Sequence, residues 1–175
     1  MSGYLPDMPD ICDLILDDHE TMRRRFGELD EHRQSPADVL TALWTPLADL
    51  LELHAATEEE LFYPRLLQTG TRAEDETDDA ITDHNQIRDA VHRAAGAEVG
   101  TADWWAAVRT ARESNSDHMA EEERGALADF RRNVDPERRE RLGHRFTVRL
   151  AARTHIDADL SEHGPQPDDY IAAHR

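Results

Sequence analysis

The sequence predicts an all-α protein: an antiparallel up-down four-helix bundle with an appended fifth, C-terminal helix and a loose tail. Three observations lead there. Apolar residues recur at helical spacing along most of the chain, with almost no strand-like alternation. Capping and breaking residues divide that pattern into helix-length segments. One arrangement is also written twice: His19 followed by His54-x-x-x-Glu58, then His84 followed by His118-x-x-x-Glu122, the second copy displaced by 65, 64 and 64 residues. Repetition of a helix pair gives two hairpins related by an approximate two-fold axis, which brings the two triplets together from opposite sides.

The first helix is expected from about Asp10 to Gln34, with Ile15, His19, Met22, Phe26 and Leu29 on one face. His19 thus sits inside an apolar stripe, where an imidazole needs a partner. Ser35-Pro36 supplies an N-cap and a first-turn proline, with Asp38 placed for a capping box. The second helix carries Leu40, Leu43, Leu47, Leu50, His54, Glu58 and Leu61 along one face. Pro46 is expected to kink or restart it, and Pro64 to distort or end its last turns. The acidic stretch Glu74 to Asp79 opens the third helix, as negative residues do at the positive end of the helix dipole. Ile81, His84, Ile87, Val91 and Ala95 face inward there, and Gly96 to Gly100 closes it. Thr101 caps the fourth helix, which is read as one element through Trp104, Val108, Ala111, His118, Glu122 and Phe130 with some drift of phase. Asp135-Pro136-Glu137 opens the fifth, with Leu142, Phe146 and Leu150 inward. Its arginines, Arg138, Arg139, Arg141, Arg145, Arg149 and Arg153, are expected to dock on the acidic bundle. Gly164, Pro165 and Pro167 mark the tail, so the domain reading is 1–160 for the bundle with its fifth helix and 161–175 for the tail.

A formal net charge of −18 argues against a nucleic-acid partner, because displacing counterions from phosphates needs a basic face. No apolar run is long enough to cross a bilayer and no signal-like stretch opens the chain, so no membrane partner is expected. One cysteine, Cys12, excludes an intrachain disulfide framework and fits a reducing compartment. A cytoplasmic location is expected. The absence of lysine beside 20 arginines is read as compositional bias.

In a helix, residues i and i+4 stand about 6 Å apart on one face, so His54 and Glu58 point together into the bundle, as do His118 and Glu122. Two carboxylates in a core are costly unless positive charge lies between them. Neutral histidines do not supply it, whereas two metal ions do. Six protein ligands are too many for one tetrahedral zinc and too few to saturate two octahedral ions. Two bridging carboxylates, two histidines per metal and open positions for a small ligand resolve the count. Mixed imidazole and carboxylate ligation of this kind suits iron first and manganese second.

Other metal-site and surface readings of the same residues fit the sequence less well. A single His-x-x-x-Glu is usually a surface pair, and His155 with Asp159 has that spacing without an apolar face. His19-Glu20 opens like a zincin motif, but Arg23 stands where its second histidine belongs. A ferritin-like site needs Glu-x-x-His twice, and the order here is reversed. Glu59, Glu60, Glu121 and Glu123, a helical step of about 100° from the bridges, read as solvated neighbours. Tyr63 lies on nearly the opposite face from His54 in an ideal helix, and only a kink before Pro64 would turn it inward as a ligand. Cys12, Trp44, Trp104 and Trp105 read as core residues.

The stretches HAATEEELFYPRL and DHMAEEERGAL, with the paired glutamates and the Tyr63-Pro64 ending, resemble the two metal-binding helices of the hemerythrin-like family, the HHE cation-binding domain. The resemblance covers about residues 10 to 131. It implies two non-haem irons bridged by carboxylates and an oxo or hydroxo group, with His19, His54, His84 and His118 as terminal ligands and Glu58 and Glu122 as bridges. It places His19 and His54 on one iron, His84 and His118 on the other. Oxygen-carrying members have a fifth histidine one turn after the third, and here that place holds Arg88. The chain therefore resembles the four-histidine branch, whose members handle peroxide, nitric oxide or iron-centre repair. Arg88 itself is read either as hydrogen-bonding an anionic iron ligand or as reaching the bundle surface. The expected function is redox handling of a small oxidant, hydrogen peroxide or dioxygen, in catalase-like fashion. The alternatives are dioxygen or nitric oxide binding and sensing without turnover, iron storage or repair, and a metal-free structural bundle.

Overall fold

Asp10 opens the first helix by accepting a hydrogen bond from the Cys12 backbone at 2.9 Å. In the computed structural model, which describes residues 9–152 and 164–175, all regular structure among those residues is helical. The elements are α1 (Ile11–Glu31), α2 (Ala37–Leu61), α3 (Tyr63–Thr69), α4 (Ala73–Ala95), α5 (Ala102–Arg124), α6 (Ala126–Asn133), α7 (Pro136–Ala152) and α8 (Pro167–His174). Among the described residues no helix is long and apolar enough to cross a membrane.

Neighbouring long helices meet in opposite sequence order. His19 and Phe26 of α1 lie beside His54 and Trp44 of α2. Glu52 and Glu59 of α2 pair with His92 and Arg88 of α4. His84 of α4 meets His118 of α5, and Asp30 and His19 of α1 meet Arg112 and Glu123 of α5. Two apolar layers fill the interior. One contains Met22, Phe26, Trp44, Leu51, Ile87 and Trp104, the other Ile15, Leu61, Phe62, Ile81, Phe130 and Phe146. Along α1, His19 falls between Ile15 of one layer and Met22 of the other. Along α4, His84 falls between Ile81 and Ile87. The six predicted site residues therefore occupy a polar plane between two dry layers.

Four expectations about elements need correcting. Pro46 does not restart α2, which runs through it as one helix. Its ring is exposed while Trp44, Leu47 and Ala48 on either side are buried, so the proline lies on the outer face, where a lost backbone donor costs least. The predicted fourth helix divides at Gly125 into α5 and α6, which accounts for the drift of phase between Glu122 and Phe130. A side chain there would meet Glu76 Oε1 at 3.1 Å, so the break lets α4 approach closely. Among the described arginines of α7, Arg139 and Arg149 reach the bundle carboxylates Asp10 and Glu60, each at 2.6 Å. Arg138, Arg141 and Arg145 are exposed, since the helical period turns them away from buried Phe146. Finally, the described part of the tail is not loose. Helix α8 starts with Pro167 in its first turn and buries Tyr170 and Ile171. The Tyr170 hydroxyl donates to the Glu59 carbonyl, and the Asn85 amide donates to the Pro165 carbonyl at 3.0 Å. Arg153, His155, Asp159 and the domain boundary at 160 lie outside the described residues.

Pro64 behaves as expected: α2 stops at Leu61 and α3 begins with Pro64 in its first turn, where a missing N–H leaves nothing unsatisfied. Trp44, Trp104 and Trp105 are core residues, Trp104 lying 5.9 Å from Trp44 and 4.7 Å from Trp105 between ring centres. Cys12 is also core, its thiol pushed up to about 12 by burial and by Asp10.

Helix α7 is seated by Gly143. A β-carbon there would lie 1.8 Å from the Pro9 carbonyl oxygen and 3.0 Å from the Ile11 nitrogen, and backbone atoms cannot swing aside as a side-chain end can. Gly143→Ala should therefore lever α7 away from the start of α1. We expect a loss of about 1–3 kcal/mol in urea denaturation, the range of an overpacked contact. An unchanged midpoint would mean that α7 contributes nothing through this contact.

Candidate metal centre

The six predicted side chains converge. Each is at most 3% exposed, although four are histidines and two are carboxylates. They form two groups able to hold a metal ion: His19, His54, Glu58 and Glu122, and then Glu58, His84 and His118. Glu58 belongs to both. Its Oε1 lies 2.9 Å from His54 Nε2, and its Oε2 lies 3.3 Å from His84 Nε2 and 3.9 Å from His118 Nε2. One oxygen thus turns to each histidine pair. Glu122 is placed less evenly: Oε2 lies 3.2 Å from His19 Nε2 and 4.0 Å from His118 Nε2. Its Oε1 accepts a 2.6 Å hydrogen bond from the Tyr63 hydroxyl.

The outer nitrogen of every ring faces a carboxylate from the adjoining helix. His54 Nδ1 is 2.9 Å from Asp18, His84 Nδ1 is 2.8 Å from Glu59, and His19 Nδ1 is 2.9 Å from Glu123. His118 Nδ1 stands 3.7 Å from Asp83. A carboxylate accepts, so the ring proton belongs on Nδ1 and the lone pair on Nε2 points inward. Two guanidinium groups complete the ring of partners. Arg88 donates to Glu59 at 2.9 Å and Arg23 donates to Glu123 at 2.6 Å. Arg88 therefore neither bonds an inner anion nor reaches the surface; it braces the carboxylate that holds His84. Glu59 and Glu123 likewise depart from the solvated role expected of them, whereas Glu121 is exposed and Glu60 pairs with Arg149. Tyr63 is fully buried, drawn inward by the break before Pro64, and its hydroxyl is committed to Glu122.

The electrostatics follow from this placement. Burial alone would depress the imidazolium form, but Glu58 and Asp18 outweigh it and hold His54 well above its ordinary range. Burial is likewise overcome at His118, which Asp83, Glu58 and Glu122 lift to about 10. Glu58 resists burial too, held well below the usual carboxylate range by His54, His118 and His84. Burial pushes the Tyr63 hydroxyl well up, with help from Glu122 and Glu58, so it keeps its proton. Protonated imidazole is thus a countercharge that the sequence argument omitted, and two buried carboxylates do not by themselves demand a metal. The donor arrangement is the better test. His84 Nε2 and His118 Nε2 face each other at 3.1 Å, too close for both to carry a proton. Among the described residues His19 Nε2, His54 Nε2, both Glu58 oxygens and Glu122 Oε2 are buried without a hydrogen-bond partner. Buried nitrogens and oxygens left unpartnered and gathered around common points are what metal ions satisfy.

Of the functional partners, Asp18 and Asp83 have no role in the sequence analysis, Arg23 enters it only as the residue that breaks a zincin motif, and Glu59 and Glu123 only as solvated neighbours. Their signal was present. Asp18-His19-x-x-x-Arg23 recurs as Asp83-His84-x-x-x-Arg88, and Glu58-Glu59 recurs as Glu122-Glu123. A family model, the hemerythrin HHE cation binding domain, matches residues 10–129. No curated protein and no solved structure matches the chain.

Proposed function

Because the chain belongs to the hemerythrin HHE cation-binding family, we propose that its four long helices form an up-down bundle around a non-haem di-iron centre that handles a small oxidant. In this reading α7 is the appended fifth helix, and the ligands are those of a four-histidine site. His19 and His54 serve one iron and His84 and His118 the other, with Glu58 and Glu122 shared between them; manganese is the second choice of metal. The single observation that carries the reading is Glu58, fully buried, turning one oxygen to each histidine pair.

Two irons held side by side supply two-electron chemistry to a small ligand such as hydrogen peroxide or dioxygen. The protein's own residues do the rest. The outer carboxylates fix each imidazole in the tautomer that ligates. Near-complete burial of all six ligands excludes anything much larger than a diatomic molecule or peroxide. The Tyr63 hydroxyl donates to Glu122 Oε1 across 2.6 Å between the two oxygens, which keeps that oxygen's charge partly neutralised.

The test is to add successive portions of hydrogen peroxide to the iron-loaded protein in an oxygen-electrode cell. A catalase-like centre releases one dioxygen for every two peroxides in each addition. A single stoichiometric response followed by bleaching would instead favour the second reading, binding or sensing of dioxygen or nitric oxide without turnover.

A further inference from the structure

A cleft runs from the surface to the centre between α4 and the α5–α6 junction. Its inner part is a cavity of ≈50 Å³ that His118, Glu122 and Tyr63 share with Glu76, Asp79, Asp83 and Glu121. Asp79 also lines a larger groove of ≈530 Å³ outside it, with Glu74, Asp75, Asp78 and Asp168 against Arg72 and Arg175. Burial increases along this line. Asp79 and Glu121 are exposed, Glu76 and Asp83 half-buried, and Glu122 is 3% exposed. Among the described residues no lysine or arginine lines the inner cavity.

Two observations separate this cleft from an ordinary acidic surface. Glu122, at the inner end, keeps a buried Oε2 without a hydrogen-bond partner, and so does Glu76 part-way in. Gly125 makes room for Glu76, since a β-carbon there would lie 3.1 Å from Glu76 Oε1 and 3.7 Å from its Cδ. Glu76 is therefore held near the cavity, and burial with Asp129 raises its carboxyl above the ordinary range against the opposing pull of Arg72 and Arg132.

We propose that this cleft is the loading port through which a divalent cation reaches the metal centre. The proposal rests on the metal-centre reading above. A cavity of this size holds about one or two water molecules, too few for a full hydration shell. An ion passing through must shed most of its water, and the graded carboxylates offer oxygen ligands as it does so. The outer groove sets five carboxylates against two guanidinium groups, and its net negative charge raises the local cation concentration. Glu76 is the central residue because it alone combines half-burial, an unpartnered oxygen and no hydrogen bond to a ligating histidine.

The experiment mixes the metal-free full-length protein rapidly with ferrous ion under anaerobic conditions and follows uptake by competition with a chromophoric chelator. Combined Glu76→Gln, Asp79→Asn and Glu121→Gln should slow uptake about tenfold at low ionic strength, with the same final iron per chain. Glu76→Gln alone should carry the largest share, and the difference should shrink as salt rises. A control of equal net charge, Glu28→Gln with Glu31→Gln and Glu98→Gln, neutralises exposed carboxylates elsewhere and should load like the parent protein. Equal rates in the port variant and the parent overturn the proposal, and so does an equal slowing in the control. A lower final stoichiometry overturns it as well, because the carboxylates would then be retaining a cation rather than passing it. A parent protein that takes up no iron at all defeats the metal-centre reading itself, which is a different result.

Discussion

Glu58→Ala should empty the centre. Grown in iron-replete medium, the parent protein is expected to carry two irons per chain and the variant less than one. Glu58 is the residue common to both metal-holding groups, with an oxygen 2.9 Å from His54 Nε2 and another 3.3 Å from His84 Nε2. In the proposed di-iron centre, removing it would take one ligand from each ion at once and leave Nε2 atoms facing an apolar gap. The thermal consequence is linked, because a metal that binds the folded chain stabilises it by mass action. At a free concentration near 1,000 times Kd that gain is about 4 kcal/mol, so adding iron should raise the parent's midpoint by roughly 8–16 °C and leave the variant's unmoved. Glu122→Ala should be milder and lopsided. Its free oxygen lies 3.2 Å from His19 but 4.0 Å from His118, so the His19–His54 side should lose metal first. Metal analysis that finds two irons in Glu58→Ala would show that Glu58 is not shared between the ions.

The contrast between these two glutamates bears on what repetition reveals. Helical spacing put His54 with Glu58 and His118 with Glu122 on inner faces, and duplication of the pattern brought the two sets together; the structure has that convergence. Repetition is blind to departures from its own symmetry. Tyr63 stands 64 residues before Leu127, so one half of the pseudo-repeat has a hydroxyl where the other has an alkyl chain. That difference occupies one oxygen of Glu122 and none of Glu58. The ideal 100° step misassigned Glu59 and Glu123 for a related reason. It measures direction from a residue's own helix axis, whereas these carboxylates are used by histidines on the neighbouring helix. The break at Gly125 and the docking of α8 were hidden because both depend on contacts between elements distant in sequence. Gly125 answers to Glu76, and Tyr170 answers to the carbonyl of Glu59.

The partners missed in this way should carry a large share of the affinity. Glu59→Ala is expected to weaken iron binding 10- to 100-fold, the usual cost of removing a carboxylate that orients a ligating histidine. Its side chain is 11% exposed and its carboxyl is held low, against burial, by His84 and Arg88. Glu123→Ala removes the equivalent group from His19, but that side chain is 29% exposed, so water replaces part of what it did and the loss should be smaller. Arg88→Ala should reproduce part of the Glu59 effect and add nothing once Glu59 is gone, since the guanidinium acts through that carboxylate at 2.9 Å. Chelator competition on all three single variants and the Glu59–Arg88 double variant measures this coupling directly. The metal-free midpoints should be compared alongside, because a purely structural role would lower them without changing affinity relative to the folded protein. If Arg88→Ala costs as much with Glu59 absent as with it present, the arginine does not work through Glu59. The line Arg88–Glu59–His84, repeated as Arg23–Glu123–His19, would then be packing and not a device for aiming imidazole.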